Sequence, residues 1–285
     1  PQHENIDYIE GRARFDGGGR LTVNGAAFPA TKVVIATGSR PHVPAIPGIE
    51  TVDALDSTSA LEMDELPASM LALGAGYIGV ELAQLFARAG VEVTLISRRG
   101  VLPEAEPEVS EALEGYLSEE GIRLARVTGY ESVTREGDTV RLTTTDGDTF
   151  DAERLLLATG RVPNSDGLNL GAAGIETDDH CGIVVDAQMR TANPKVWAAG
   201  DVTGRDQFVY MAAYGAKLAA RNAVAEEARS YDNATMPWVV FSDPQVAGVG
   251  LSEAQALAAG HEVVTSVLPL DAVPRALAAR DTRGL

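Results

Sequence analysis

Met70-Leu71-Ala72-Leu73-Gly74-Ala75-Gly76-Tyr77-Ile78-Gly79 decides the fold of this chain. An apolar run enters a Gly-x-Gly-x-x-Gly turn, and an apolar-periodic stretch from Val80 to Ala89 leaves it. A second apolar run, Val91 to Ile96, follows and ends in Ser97-Arg98-Arg99. Strand, glycine turn, helix and strand in this order predict a dinucleotide site. Gly74 allows the tight turn, Gly76 lets backbone approach a pyrophosphate, and Gly79 lets the helix pack on the strand. The helix N-terminus then offers free N–H groups and the positive end of its dipole to the phosphates.

The end of the second strand selects the dinucleotide. An NAD site places Asp or Glu about 20 residues beyond the first glycine, where it bonds the ribose 2′-hydroxyl. Here Ser97 stands at the strand end, with Arg98 and Arg99 after it. One hydroxyl and two guanidinium groups suit a 2′-phosphate, so the expected hydride donor is NADPH. The alternative is an ordinary pair of solvated loop arginines.

Working outward, the apolar strand Thr31 to Ala36 runs into Thr37-Gly38, and Arg154 to Ala158 runs into Thr159-Gly160. Both exits contain proline, Ser39-Arg40-Pro41 and Arg161-Val162-Pro163. The duplicated strand-Ala-Thr-Gly pattern predicts two related nucleotide-binding domains, the chain leaving one to build the other and then returning. The fold class expected is α/β, two Rossmann-like domains followed by the start of an α+β domain. The domain boundaries read as 1–45, 46–163, 164–232 and 233–285, with the proline-rich stretch Ser39 to Gly48 as a linker. A third strand, Lys195 to Ala199, ends in Gly200-Asp201, a carboxylate placed either to accept sugar hydroxyls or to cap the helix predicted over Phe208 to Ala225.

Smaller elements follow from local pattern. A hairpin turns at Gly17-Gly18-Gly19, a helix runs from about Pro107 to Glu120, and a meander spans Val133 to Phe150. Met236 to Phe241 and Val246 to Val249 read as strands, Ser252 to Ala259 as a helix capped by Ser252, and Glu262 to Leu270 as a strand.

Composition sets the limits. The chain has 285 residues, 45% hydrophobic and 22% charged, enough for two cores. Its 23 basic and 41 acidic residues give a net charge of −18, which argues against nucleic acid and anionic membrane as partners. No apolar run is long enough to span a bilayer, and a cytoplasmic location is expected. The single cysteine, Cys181, excludes an internal disulfide framework and reads as a small loop residue rather than a reactive thiol. His3, His42, His180 and His261 are scattered, so no metal site is expected.

The ordered frame IATGSRP, GAGYIGVE, LATGRVPN and AAGDV resembles the flavin-dependent pyridine nucleotide–disulfide oxidoreductases, over essentially the whole chain. Gln207 to Tyr210, Met236 to Val246 and Leu270 to Leu277 are most similar to the mercury-reducing branch of that family. The resemblance implies FAD and NADPH as cofactors and a homodimer when full length. It places Thr37, Gly38, Gly200 and Asp201 against FAD, with Val209 touching the isoalloxazine and Ala13 the adenine through backbone. Tyr77 would gate the flavin, Glu81 would lie near its N5 edge, and Gly160 and Arg161 would approach the nicotinamide. It implies Hg(II) thiolate as substrate of the intact enzyme, with lipoamide or another disulfide as the alternative within the family. A non-catalytic nucleotide-binding module is the alternative of another class. The family's own FAD fingerprint and Cys-x4-Cys pair are not found here, so the chain is expected to be an internal piece of a longer protein, with little turnover alone.

Overall fold

A computed structural model describes residues 6–225 and 227–285; His3 lies outside them. In chain order the elements are β1 (Ala13–Phe15), β2 (Leu21–Val23), β3 (Ala26–Ala27), β4 (Val33–Ile35), β5 (Ser39–Pro41), α1 (Ser57–Leu61), β6 (Ser69–Leu73), α2 (Tyr77–Arg88), β7 (Glu92–Ser97) and α3 (Pro107–Glu119). Then come β8 (Arg123–Arg126), β9 (Tyr130–Glu136), β10 (Thr139–Thr144), β11 (Thr149–Ala152), β12 (Arg154–Leu157), β13 (Arg161–Pro163), β14 (Val196–Ala198) and α4 (Val209–Val224). The last are β15 (Pro237–Val240), β16 (Val246–Val249), α5 (Glu253–Ala258) and α6 (Pro274–Ala279). Two compact units result, one from residues 1–40 and 161–233, the other from residues 41–160 and 234–285.

The second unit is built on a four-stranded parallel sheet in the order β12-β6-β7-β8. Side-chain alternation divides each strand between two cores. Met70 and Ala72 of β6, with Val93 and Leu95 of β7, pack against Val80, Ala83 and Phe86 of α2. Leu71, Leu73 and Ile96 face the other way, onto Val133, Val140, Leu142 and Phe150 of the antiparallel β9–β11 meander. Both faces are covered, which is why these strands read as continuous apolar runs. Helix α3 starts on Pro107 at its first position, where a missing N–H costs nothing. Gln84, buried on α2, donates to Glu120 and to the Asp243 carbonyl and accepts from the Asp243 amide, so its amide group is well satisfied.

The first unit pairs β14 with β4 in parallel, Val196 opposite Val33 and Ala198 opposite Ile35. Its core gathers Phe15, Ile35, Ile183, Met189, Trp197, Val202 and Leu218. Two expectations, and the alternative reading of Asp201 as a helix cap, are corrected. Ser39–Pro41, read as linker, forms a strand paired with Arg161–Pro163. Residues 262–269 form no strand: among the described residues no neighbour offers them a ladder, and Val264 is fully exposed. The segment beyond becomes a 3-10 turn at Leu270–Ala272 and helix α6. Asp201 does not cap α4, whose N-cap is Phe208; it lies in the 3-10 turn Gly200–Thr203.

Candidate functional site: a glycine turn and an arginine loop

The Gly74–Gly79 turn joins β6 to α2 at the carboxyl end of the parallel sheet. A Cβ on Gly74 would meet the Ala158 carbonyl at 2.3 Å, and one on Gly79 would meet the Gly74 carbonyl at 1.8 Å. Neither position accepts a side chain, because the obstacle is backbone. Gly76 differs: a Cβ there would face open space. Gly76 is also the N-cap of α2 and no side chain caps that helix, so its first turn opens onto the glycine face.

The loop after β7 lies beside this turn. Ser97 is buried, and its hydroxyl donates to the Gly100 carbonyl at 3.0 Å while accepting from the Gly100 amide at 2.9 Å. Its polar atom therefore closes the loop on itself. Arg98 is exposed and forms no ion pair among the described residues; its charge reaches the half-buried Tyr130, whose phenol burial pushes above its ordinary range. Arg99 is exposed and paired with Glu104 at 2.8 Å. Opposite Ser97 across the sheet stands Arg126, a residue that pattern reading passed over.

Tyr77 opens α2 and sets its ring edge against Trp238, centroids 5.9 Å apart. One turn on, Glu81 accepts the Phe241 amide at 2.8 Å. The structure thus gives Glu81 a backbone partner within this unit.

In the first unit, β4 and β14 end side by side, which brings Gly38 and Gly200 to one edge of the pair. The exposed Thr37 donates its hydroxyl to the Asn164 carbonyl at 2.8 Å, and Asn164 returns a bond from its amide to the Thr37 carbonyl. Asp201 accepts from the Ser39 hydroxyl at 2.6 Å. The Arg161 guanidinium holds that hydroxyl at 2.7 Å and stands 3.9 Å from the Asp201 carboxylate. So Arg161 is drawn into an Asp201–Ser39–Arg161 cluster, and Ser39 and Asn164 join the predicted set. Gly160, which precedes Arg161, is exposed. Val209 begins α4 and is 84% exposed, and Phe208 stacks on Tyr210 beside it. Ala13 is exposed on β1, opposite Val23. Cys181 is exposed in a turn, and no group of metal ligands occurs among the described residues.

One unit carries an uncapped glycine turn on a parallel sheet and the other a parallel strand pair ending in glycines, the marks of dinucleotide-binding folds, and sequence comparison gives the family. Residues 2–220 match the family described as pyridine nucleotide-disulphide oxidoreductase, and residues 236–285 its dimerisation domain; the chain belongs to this family. Its members use FAD and NADPH. The chain is 44% identical to a mercuric reductase of Lysinibacillus sphaericus over 99% of its own length and 52% of the relative's. It is 45% identical to a mercuric reductase of Bacillus cereus, over 98% of this chain and 45% of that one. Among solved structures it resembles the HOCl-induced flavoprotein disulfide reductase RclA from Escherichia coli, with a TM-score of 0.88 and 34% identity over 98% of this chain and 65% of that one. The chain spans about half the length of the curated relatives it matches.

Proposed function

We propose that this chain is the nucleotide-handling part of an enzyme that reduces Hg(II) with NADPH, and that the whole protein acts as a cytoplasmic homodimer in mercury detoxification. The observation that carries the reading is the Gly74–Gly79 turn with a two-guanidinium loop, and no acidic residue, at the end of the neighbouring strand. Mercuric reductase relatives at 44% and 45% identity support the substrate.

The residues divide by task. Gly74, Gly76 and Gly79 bring backbone and the α2 N-terminus against the NADPH pyrophosphate. Arg98 and Arg99 take the 2′-phosphate, and Ser97 shapes the loop that presents them. Thr37, Gly38, Gly200 and Asp201 would hold FAD along the β4–β14 edge, with Ala13 toward the adenine and Val209 toward the ring. The residues fit that group: the two strands end in register, and Ser39 and Arg161 hold the Asp201 carboxylate in one orientation. FAD, when bound, supplies a hydride acceptor that releases electrons in pairs. Tyr77 and Glu81 of α2 would take the gating and N5-edge roles that the family resemblance implies, and Gly160 with Arg161 would approach the nicotinamide. The balance is one NADPH and one Hg(II) giving NADP+, a proton and Hg(0). Hg(II) is soft and takes thiolate ligands, which Cys181 alone does not supply; the thiol pair would come from other residues of the whole protein.

A second reading, with a disulfide as the electron acceptor, is favoured by the likeness to a disulfide reductase. NADPH oxidation by the whole protein, followed near 340 nm in excess thiol, separates the two. Oxidation that requires Hg(II) supports mercury reduction. Oxidation indifferent to Hg(II), with lipoamide turned over instead, contradicts it.

A further inference from the structure

The loop that would read the 2′-phosphate bridges a cavity. A space of about 190 Å³ lies beneath it, lined in part by Ala75, Ser97, Gly100, Val101, Glu114 and Arg126. Packing anchors only the far end of the loop, where Val101 and Leu102 are buried in the core; Arg98 and Arg99 are exposed, and what holds this stretch is a set of hydrogen bonds to its backbone. The Arg126 guanidinium donates to the Arg99 carbonyl at 2.8 Å. Glu114 of α3 accepts the Val101 amide at 3.1 Å. The Leu102 amide reaches the Ala75 carbonyl, inside the glycine turn, at 2.8 Å, and Ser110 donates to the Leu102 carbonyl at 3.0 Å. The geometry is tight enough to hold Leu102 at a φ of 43°, in the left-handed region that a branched side chain rarely adopts.

We infer that Arg126 is a positioning residue for 2′-phosphate recognition: it braces the Arg98–Arg99 loop through the Arg99 carbonyl. The inference rests on the NADPH reading above. Arg98 has no competing ion pair among the described residues, and the exposed Arg99–Glu104 pair is of the weak surface kind. The two side chains are thus free to meet a phosphate, while the backbone that carries them is not free to drift. A bidentate guanidinium–phosphate contact depends on such placement, because its two parallel bonds tolerate little angular error. Without Arg126 the Arg99 carbonyl loses its donor, and the loop above the cavity gains conformations in which the guanidinium groups point elsewhere. Arg126 spends one terminal N–H on the Arg99 carbonyl, and its guanidinium lies close to the Gly100 backbone.

The test is calorimetric titration of the 285-residue chain with 2′,5′-ADP and with 5′-AMP. Arg126→Met is expected to weaken 2′,5′-ADP by roughly 5- to 10-fold and to leave 5′-AMP within about 2-fold. Arg126→Lys, which keeps a donor for the Arg99 carbonyl, is expected to recover most of that loss. Arg98→Ala combined with Arg126→Met should cost less than the sum of the two singles, because one acts through the other. Additive losses would mean direct phosphate contact and overturn the inference, as would equal weakening of both ligands or unaltered discrimination in Arg126→Met. A wild-type chain that does not prefer 2′,5′-ADP removes the NADPH reading, and this inference with it.

Discussion

Three glycines of the turn have the same chemistry and different neighbours, so substitution separates their roles. Gly79→Ala drives a methyl into the Gly74 carbonyl and is expected to destabilise the second unit by about 1–3 kcal/mol, seen as a lowered thermal midpoint. Gly76→Ala meets nothing in the folded chain and should leave the midpoint in place, yet its methyl occupies the face offered to the pyrophosphate. Its NADPH affinity is expected to drop by roughly 10-fold or more, measured by titration; unchanged affinity would move the phosphates off this turn. Arg98→Glu with Arg99→Ala removes two charge-assisted donors of about 1.5–3 kcal/mol each. The Michaelis constant of the whole protein for NADPH should then rise by at least about 10-fold and that for NADH little, whereas equal change would sink the 2′-phosphate assignment.

At the scale of elements, the most coupled group of side chains joins α2, the end of α3 and the segment after β15. Arg88 holds Glu120 and Asp243, and Arg283 holds Asp243 and Asp281. The Arg88 guanidinium keeps the Glu120 carboxyl below the usual glutamate range, and Arg283 brings Asp281 down to about 2. A depressed carboxylate contributes stability that is complete above its unfolded pKa, about 4.3 for Glu, and is lost as pH falls through the lower folded value. Glu120→Gln should therefore cost on the order of 1 kcal/mol near pH 7, and the gap from wild type should close below about pH 4 in thermal melts. A gap that persists at low pH would refute the ion-pair account. Elements with a period and a second local mark, a side-chain cap or a glycine turn, were legible in the sequence. Ser252 does cap α5 through a Ser–Gln box, and the turn-helix-strand around Gly74 lies where its pattern put it. Residues 262–269 were misread because alternation signals a strand only where a ladder exists to join. The short α1, boxed by Asp56 and Ser59, escaped because five residues carry too little periodicity. Ser39, Glu114, Asn164 and Arg126 escaped for another reason: their partners lie far away in sequence, and only the register Ser97↔Arg126 brings that pair together.

For the molecule as a whole, charge is the readable quantity. A net charge of −18 repels phosphate backbones, so no retardation of duplex DNA is expected in a gel at physiological salt, and a shifted band would contradict that reading. No helix among the described residues is long and apolar enough to cross a membrane. Against this acidic background, Arg98, Arg99 and Arg126 form a local cationic exception at the one strand end where a 2′-phosphate would sit, and the rest of the account depends on that exception. Titration of the 285-residue chain with NADPH and NADH in parallel tests it most directly. NADPH is expected to bind at least about 10-fold more tightly, a difference that shrinks as salt is raised. Equal affinity, or tighter binding of NADH, would contradict it.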